Sequence, residues 1–590
     1  AEHYYLITEP VDGVHPDLPV VEDPDLYLYL REEVGGLMVG MFEPISQPWG
    51  MKGIPEDFSF GEIPPNWDRL MPYLEKAMHR IPIAKEAGVH TLFCGPESFT
   101  PDMSPMIGEA PELKNFFVAA GFNSLGILLG GGVGQVLAQW IADGYPPVDI
   151  SEINIERMSP FRNNPQYLYD RTVEMLGWQY AEGWPNLHFD TARGARRSPL
   201  HDRLAKAGAW FGESDGWEVA DWYAPPGVEP AVEYSWQRQN WFEYNAAEHK
   251  AAREGVILMD LTPMSKFLIQ GRDAEKVLNH ICSRDVNVEI GRCVYTTWLN
   301  ERGTIEADLT VTRLAEDQYQ VVSSWSIHTH VLTWLKRHTP PDAFVTITDM
   351  TSAYSLINIQ GPKSRQFLSK ITSADLSNPA FPYLTMHEID IGYALVNALR
   401  ITYLGELGWE LYVPSEFSLH VYDLLLESGA DLGLKHAGLS TLETLRMEKA
   451  YRDYGHDIDN LDTPLEVGLG FTVDADKPVD FIGKEAFIKQ KASGMLKKRL
   501  VQFLLEDPQP LLHGGEPIYR DGIRVGDIHS GNYGHTLGSA VGLGPIRNID
   551  GVSKEYIQNG NVEIEVVGVR YPASASLRPM YDPKNEKVKG

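Results

Sequence analysis

Hydrophobic and polar residues alternate along several segments of the first fifty positions, a pattern typical of half-buried β-strands. The clearest segments read YYLIT, LYLYLREE and GGLMVGMFEP, and turn-forming residues separate them. Helical spacing follows over residues 67–87, and Pro82 is expected to end that helix. The pattern therefore predicts an antiparallel sheet followed by an amphipathic helix.

The most apolar stretch, residues 116–141, reads FFVAAGFNSLGILLGGGVGQVLAQWI and is long enough to suggest a membrane span. Polar residues and many glycines interrupt it, and no basic flank follows, so we interpret it as a strand, a glycine-rich turn and a helix around residues 133–142. Small residues at such a turn serve either close approach to a ligand or tight strand–helix packing, and the pattern leaves both open.

In the second half of the chain, acidic residues lie among aromatic and branched residues in segments that look like sheet and core helix. The segments are GTIEADLTV, YLGELGWELY, which predicts a hairpin, and RMEK. Their carboxylates are Asp308, Glu406, Glu410 and Glu448. A carboxylate against aromatic walls can accept paired hydrogen bonds from a flat heterocycle that presents N–H and NH2 groups. The alternative is a solvated charge at a sheet edge.

Composition narrows the possible functions. Acidic residues exceed basic ones by enough to give a net charge of −30, so nucleic acid and anionic membranes are not expected as partners. Three cysteines without a CxxC spacing indicate neither a disulfide framework nor a metal site. They are compatible with a reducing compartment, either the cytoplasm or the mitochondrial matrix. The 590-residue length predicts several domains.

The motifs GPESFTPD, MIGEAPEL and GFNS–G…GGG–G together resemble the C-terminal half of the flavin domain in the sarcosine and dimethylglycine dehydrogenase family. The resemblance implies FAD as a cofactor. The implied flavin contacts are Phe122, Asn123, Ser124, Leu125, Gly126 and Ile127. The family's dinucleotide-binding turn, G-x-G-x-x-G, does not precede Ala1, so we expect the N-terminal part of that domain to be missing.

From residue 240 onward, an ordered series of motifs resembles the aminomethyltransferase of the glycine cleavage system, which this family carries behind its flavin domain. The resemblance implies tetrahydrofolate as a second cofactor and Asp308 as the catalytic residue. The implied folate contacts are Asp308, Leu309, Thr310, Tyr403, Glu410, Leu411, Tyr412, Arg446 and Phe471. For Arg446, a structural brace with Glu448 is an equal alternative. Phe471 and the terminal VKG are closer to the sarcosine dehydrogenases.

One position departs from the family pattern. Phe42, in GMFEP, stands where relatives have a tyrosine that faces the amine, so we take it as a substrate residue that lacks the hydroxyl. In this respect the chain also resembles the non-catalytic regulatory subunit of pyruvate dehydrogenase phosphatase.

We therefore predict a multidomain α+β/α-β chain. Its parts are a partial amine-oxidase-type FAD domain (1–165), an irregular, Trp- and Pro-rich connector without chemistry of its own (166–238), an aminomethyltransferase-like folate domain (239–490) and a small C-terminal β-barrel (491–590). The predicted reaction is oxidative N-demethylation of sarcosine or dimethylglycine, with electrons passing to an electron-transfer flavoprotein or oxygen. The one-carbon unit would pass to tetrahydrofolate as 5,10-methylene-tetrahydrofolate. The alternatives are a non-catalytic regulatory protein and a standalone folate-binding transferase.

Overall fold

The computed structural model describes residues 1–181 and 183–590, which divide into two compact units, Ala1–Ala195 and Arg196–Gly590. The strands of unit 1 are β1 Glu2–Thr8, β2 Val21–Asp23, β3 Leu28–Glu33, β4 Gly36–Met41, β5 Val89–Pro96, β6 Met106–Glu109 and β7 Phe117–Ala120. Its α-helices are α1 Trp67–Arg80, α2 Gly126–Asp143 and α3 Pro165–Met175.

The core of unit 1 is the inner face of an antiparallel sheet with the order β2-β3-β4-β1-β5. Tyr4 and Leu6 alternate with less buried residues on β1 and pack against residues of β3 and β4. Helix α1 covers this face with Leu70 and Leu74, and it ends at Arg80, just before Pro82. The predicted sheet and helix are confirmed.

The apolar stretch folds as predicted into strand β7, a turn and helix α2. Helix α2 begins at Gly126, earlier than the spacing suggested, and none of its residues is buried within unit 1. Ile127 is fully exposed and Leu128 is largely exposed. Across the two described ranges, the structure contains no helix that combines the length and the apolar character needed to span a bilayer.

The predicted connector contains more regular structure than its Trp- and Pro-rich composition suggested. Besides α3 it includes helix α4 His201–Lys206 and a hairpin of β8 Ala209–Ser214 and β9 Trp217–Tyr223. Trp217 and Trp222 of this hairpin are buried. The interpretation of these residues as irregular was wrong, because the tryptophans supply core packing instead of marking a loop.

The remaining helices of unit 2 are α5 Phe242–Glu254, α6 Ala274–Ile281, α7 His328–Arg337, α8 Ser364–Leu368, α9 Ser418–Gly429, α10 Leu439–Glu448, α11 Lys484–Ser493, α12 Lys554–Gln558 and α13 Glu586–Lys589. Its further strands are β10 Ile257–Asp260, β11 Ser265–Gln270, β12 Cys293–Leu299, β13 Ile305–Ala315, β14 Gln318–Ser323, β15 Thr346–Asp349, β16 Tyr354–Gln360, β17 Met386–Ile391, β18 Ala394–Leu399, β19 Gly408–Pro414, β20 Lys435–His436, β21 Lys498–Leu505, β22 Pro517–Arg520, β23 Ile523–Asp527, β24 Ser530–Gly534, β25 Ser539–Arg547, β26 Val562–Val566 and β27 Val569–Ser576.

Two sheets build the larger part of unit 2. One has the order β17-β18-β19-β16-β10-β20 and the other β12-β13-β14-β11-β15. Cys293 and Val322 of the second sheet share one hydrophobic cluster with Met259 and Tyr412 of the first, so one face of each sheet meets the other. A third sheet, β23-β22-β26-β27-β21-β25-β24, forms the C-terminal part around its own core.

Candidate functional site

Strand alternation places Asp308 and Thr310 on the face of the second sheet that meets the first. Ala307, Leu309 and Val311 point the other way, into the cluster that helices α6 and α7 cover. Thr310 pairs across the ladder with Val322, which belongs to the inter-sheet cluster. Asp308 is therefore a carboxylate on an interior face, although part of its surface stays accessible.

Tyr295 orients Asp308. Its hydroxyl donates to Asp308 Oδ2 at 2.7 Å, from the neighbouring strand β12. Burial is the largest influence on Asp308 and raises its pKa to about 6, while the Tyr295 hydrogen bond opposes that rise. A partly accessible carboxylate whose pKa is raised toward neutral is typical of a functional site.

Glu410 occupies the equivalent position on the first sheet. It alternates with Trp409 and Leu411, which point into a separate core cluster. The Tyr412 hydroxyl donates to Glu410 Oε2 at 2.8 Å. Burial raises the pKa of Glu410 to about 7, and the Tyr412 hydrogen bond and the charge of Lys266 lower it only in part. Glu410 is partly accessible, and a carboxylate in this position can accept hydrogen bonds from the donors of a ligand.

Tyr403 precedes this strand in an irregular loop, so the predicted hairpin at YLGELGWELY is wrong and only its second half is a strand. The Tyr403 hydroxyl donates to the carbonyl of Arg452 at 2.6 Å, and its ring lies parallel to Tyr451 with centroids 5.9 Å apart. Phe471 is 62% exposed, and its ring centroid is 6.1 Å from that of Tyr295, near Asp308.

The structure does not bring every predicted folate residue to this face. Leu309 and Leu411 have their side chains in core clusters that face away from it. Arg446 donates to Glu443 and to Asp457, both at 2.6 Å, and to the Tyr451 carbonyl. The proposed brace between Arg446 and Glu448 is wrong, because residues two apart on helix α10 point in different directions.

Glu448 and Glu406 instead share one buried cation, Arg253. Its guanidinium donates to Glu406 at 3.0 Å and to Glu448 at 2.8 Å. The Glu448 carboxylate also accepts from the backbone of Thr536 in the C-terminal sheet. Although burial alone would raise it, hydrogen bonds from His249 and Arg253 and their charges lower the pKa of Glu448 to about 2. The contacts of Glu406 and Glu448 therefore indicate a structural role for both carboxylates.

In unit 1, the turn before helix α2 is held rigidly. The Asn123 side chain accepts from the Thr100 backbone at 2.8 Å and donates to the Gly121 carbonyl at 2.9 Å. Asn123 and Ser124 adopt left-handed conformations, with φ of 50° and 70°. The backbone of residues 122–127 therefore has a fixed shape.

The remaining predicted flavin residues lie beside an open surface. Leu125 and Ile127 are exposed, and a Cβ added at Gly130 or Gly134 of α2 would meet nothing within 4 Å. These features suit a flavin ring. The rigid turn and the glycine-bearing face of α2 permit close approach, and the uncapped N-terminus of α2 offers N–H donors.

Phe42 lies in an aromatic cluster with three other rings. Its ring centroid is 4.8 Å from His3, 5.7 Å from Tyr29 and 5.0 Å from Tyr180, which meets it edge-on. We name these four residues the aromatic cluster. Burial raises the pKa of the Tyr29 hydroxyl, so its phenol stays protonated.

Sequence reasoning missed His3 and Tyr295. His3 Nε2 donates to the Met41 carbonyl at 2.9 Å, and Nδ1 pairs with Glu97. The Ser124 side chain hydrogen-bonds to the same Glu97 carboxylate, which links the aromatic cluster to the rigid turn. A histidine in a strand at the start of the chain gave no signal by itself. Tyr295 looked like any strand aromatic, because its partner Asp308 is on the next strand.

Family models match both units. Residues 1–140 match the FAD dependent oxidoreductase model, and 143–198 match the FAD dependent oxidoreductase central domain. Residues 200–477 match the GCVT N-terminal domain, and 498–582 match the glycine cleavage T-protein C-terminal barrel domain.

Among solved structures, the glycine cleavage system aminomethyltransferase T from Bartonella henselae shares the fold. It is 23% identical, with a TM-score of 0.56, and the match covers 66% of this chain and 98% of that one. The expected fold, an FAD-dependent oxidoreductase domain followed by an aminomethyltransferase domain and a C-terminal barrel domain, is thus confirmed.

Curated relatives align over almost the whole chain. The 4-methylaminobutanoate oxidase (formaldehyde-forming) of Paenarthrobacter nicotinovorans is 43% identical over 100% of this chain and 70% of its own length. Human mitochondrial sarcosine dehydrogenase is 35% identical over 100% and 68%, respectively. Human mitochondrial dimethylglycine dehydrogenase is 32% identical over 98% and 67%.

These matches confirm the predicted cofactors, FAD and tetrahydrofolate, and the predicted class of enzyme, an FAD-dependent oxidoreductase. Both sets of residues suit those cofactors: the rigid turn and open glycine face of unit 1 suit a flavin, and the half-buried carboxylates of unit 2 suit the N–H donors of a pterin. The chain belongs to the sarcosine and dimethylglycine dehydrogenase-like family, whose members join a flavin-dependent N-demethylating domain to a folate-binding aminomethyltransferase domain.

Proposed function

We propose that the substrate is an N-methylated glycine, sarcosine or dimethylglycine, and that its nitrogen binds against the aromatic cluster. Bound near the turn of residues 122–127, FAD would supply the acceptor for a hydride from the N-methyl group, and tetrahydrofolate held in unit 2 would supply the acceptor for the released carbon. The observation that carries this proposal is the aromatic cluster, which Glu97 links to the turn at Ser124. Three rings packed around the partly exposed Phe42 ring can shield a small amine from water and fix its orientation.

Hydride loss requires a neutral amine, and the cluster favours that form. Burial among aromatic rings disfavours an ammonium ion and so lowers the pKa of the bound amine. Both nitrogens of His3 lie opposite acceptors, the Met41 carbonyl and the Glu97 carboxylate, and these contacts fix the orientation of the ring beside Phe42.

A second candidate substrate is 4-methylaminobutanoate, which the 43% identical relative oxidises according to its name. The test is a comparison of kcat/KM for sarcosine, dimethylglycine and 4-methylaminobutanoate with the holoenzyme, following amine-dependent dye reduction. We expect a glycine derivative to rank first. A higher kcat/KM for the longer amine would contradict the N-methylglycine proposal and favour the second candidate.

The Phe42→Tyr variant is expected to shift selectivity further toward the glycine derivatives. The new hydroxyl fills space beside His3 and offers a donor to a carboxylate near the nitrogen, so the kcat/KM ratio of sarcosine to 4-methylaminobutanoate should rise about tenfold. Phe93→Tyr is the matched control, because Phe93 stacks on Tyr5 in the same sheet, outside the cluster. An unchanged ratio in Phe42→Tyr would show that this position does not determine the substrate.

In unit 2, we assign pterin binding to Glu410, Tyr403, Tyr412 and Phe471, and the catalytic role to Asp308. Glu410 would accept the amino and ring N–H donors of the pterin, and the exposed Phe471 ring near Tyr295 would supply a stacking surface. Thr310 shares the face of Asp308. The folate roles of Leu309, Leu411 and Arg446 stay predictions, and their side chains have the partners described above.

Tetrahydrofolate affinity is expected to depend on the ionisation of Glu410. The pKa of this carboxyl is about 7, and a pterin that donates hydrogen bonds needs the ionised form, so the Kd should fall as pH rises from 6 to 8. In Glu410→Gln, the Kd at pH 8 should rise about 10- to 100-fold, and the dependence of Kd on pH should disappear. Titration calorimetry measures both effects.

Glu388→Gln is the matched control for that measurement, since Glu388 is an exposed acid on strand β17 of the same sheet. It should leave the Kd and its pH dependence as in the parent protein. If Glu410→Gln behaved like this control, the assignment of the pterin site would be refuted.

The electron acceptor, an electron-transfer flavoprotein or oxygen, stays a prediction. So does the compartment: the human relatives are mitochondrial by name, and a cytoplasmic location is the other expectation.

A further inference from the structure

The loop that carries Tyr403, residues 400–407, connects β18 to β19 and has no regular secondary structure. Its own Thr402 hydroxyl accepts from the Leu404 and Gly405 N–H groups, and side chains from elsewhere hold other parts of its backbone. Arg253 donates to the Leu404 carbonyl at 2.8 Å, and the Gln360 amide donates to the Ile401 carbonyl at 2.9 Å. The position of the Tyr403 side chain, which this loop carries, therefore depends on these contacts.

The final residues, 578–590, run from strand β27 of the C-terminal sheet back to this loop. We name them the C-terminal strap. Its first anchor is Tyr581, whose hydroxyl donates to Glu406 Oε1 at 2.6 Å. The ring of Tyr581 also lies 3.8 Å from the guanidinium carbon of Arg253. The first contact reaches the loop at Glu406, and the second reaches Arg253, which itself donates to Leu404 and Glu406.

The second anchor is Lys449, whose side chain is completely buried. Its ammonium donates to the Asp582 carbonyl at 2.8 Å and to Asn585 Oδ1 at 2.7 Å. The stem of Lys449 crosses Gly405, where an added Cβ would be 2.3 Å from Lys449 Cγ and where φ is +84°. The strap thus fixes the position of Lys449, whose side chain contacts the loop at Gly405, two residues from Tyr403.

The third anchor lies at the start of the loop. Arg400, which is almost fully buried, donates to the Lys589 carbonyl at 2.6 Å. Asn378 donates to the Gly590 carbonyl at 3.1 Å. Tyr403 lies between this anchor and the other two, and its ring neighbour Tyr451 follows Lys449 by two residues.

From these contacts we infer that the C-terminal strap is a positioning element for the folate site: it sets the place of the Tyr403 loop and so determines tetrahydrofolate affinity. The inference rests on the proposed pterin site at Tyr403 and Glu410. None of the strap residues is assigned a contact with the ligand, so they act through the loop.

The test compares two variants at Asn585, which has a left-handed conformation with φ of 55°. Asn585→Gly permits this conformation and removes the acceptor for Lys449, whereas Asn585→Asp keeps an acceptor. The Kd for (6S)-tetrahydrofolate, measured by calorimetry on the full chain, should rise about tenfold in Asn585→Gly and stay near the parent value in Asn585→Asp. Tyr581→Phe should also raise the Kd.

Two controls separate positioning from stability. Lys584→Ala changes an exposed strap residue and should leave the Kd unchanged. Ile564→Val weakens the core of the C-terminal sheet, so it should lower the melting temperature without raising the Kd.

The outcomes are distinguishable. If Asn585→Gly lowers the melting temperature but binds as tightly as the parent protein, the strap is only structural and the inference is wrong. If Ile564→Val raises the Kd as much as Asn585→Gly does, affinity follows stability and the inference is also wrong. If the parent protein binds tetrahydrofolate but Glu410→Gln binds it equally well, the proposed pterin site fails, and the inference that rests on it fails too.

Discussion

An Asp308→Asn variant is expected to transfer the one-carbon unit to tetrahydrofolate about 10²- to 10³-fold more slowly, because it removes a preorganised charge beside the reacting carbon. Water should then capture the carbon as formaldehyde. The measurement is the ratio of 5,10-methylene-tetrahydrofolate to free formaldehyde per amine consumed. Asp317→Asn, at the exposed end of the same β-hairpin, is the matched control and should keep the parent ratio.

The pH dependence of one-carbon transfer provides a second test of Asp308. With a pKa of about 6, Asp308 is ionised above that pH, so transfer in the parent protein should rise through pH 6. Tyr295→Phe removes the hydroxyl that stabilises the ionised form, so the pKa should increase and the rise should move to higher pH. Transfer would then be recovered at pH 8. An unshifted profile would contradict a role for Tyr295 in orienting Asp308.

The pH dependence of the free energy of unfolding provides an independent test of Asp308. Burial raises the pKa of Asp308 from its usual 3.8, so the folded protein binds this proton more strongly than the unfolded chain does. Ionisation of Asp308 therefore reduces the free energy of unfolding as pH rises from 4 to 6. Asp308→Asn should not lower the melting temperature at pH 7.5, and a large decrease there would point to a structural role.

Replacing Arg253 by methionine is expected to lower the free energy of unfolding of unit 2 by about 3–5 kcal/mol, because Glu406 and Glu448 would stay buried without their cation. Urea unfolding followed by tryptophan fluorescence measures this change. The side chain of Arg253 is only 6% exposed. Arg203→Met is the matched control: Arg203 pairs with Asp423 at 3.0 Å on the surface, and its loss should cost about 0–1 kcal/mol.

The decrease in the free energy of unfolding caused by Arg253→Met should depend on pH. The pKa of Glu448 is lowered to about 2 in the folded protein, so its contribution to stability is fully present above its usual pKa of 4.5. That contribution is lost as pH falls toward 2. The difference between the parent protein and the variant should therefore be largest near pH 7 and decrease below pH 4. Equal effects of Arg253→Met and Arg203→Met would contradict the buried network.

Local patterns were sufficient to predict much of the fold. Alternation on β1, β3 and β4 and helical spacing on α1 predicted the first sheet and its helix, because each element buries one face. The apolar stretch was predicted as β7, a turn and α2 because its glycines and polar residues argue against a bilayer. Long-range pairing could not be predicted in this way, and the first half of the hairpin expected at YLGELGWELY is instead a loop that side chains from distant elements hold in place.

The candidate site shows the same limit. Asp308 and Glu410 were identified by an ordered set of motifs, and alternation alone places them on interior faces. Leu309 and Leu411 are adjacent to them in sequence, but strand geometry turns these leucines into the core. The partners Tyr295 and Arg253 lie on other elements, and no spacing within a single segment could predict them. Glu448, which lies two residues from Arg446, is paired through tertiary packing with a residue almost two hundred positions away.

The three cysteines provide a further experimental opportunity. All are buried, and burial raises the pKa of Cys94 and Cys282 to about 11 and that of Cys293 to about 12. Thiol reagents react with the accessible thiolate, so alkylation of these buried cysteines should require local unfolding. Cys94 then reports the opening of unit 1, and Cys282 and Cys293 report that of unit 2. Labelling followed by peptide mass analysis can thus follow the two units separately, without any engineered probe.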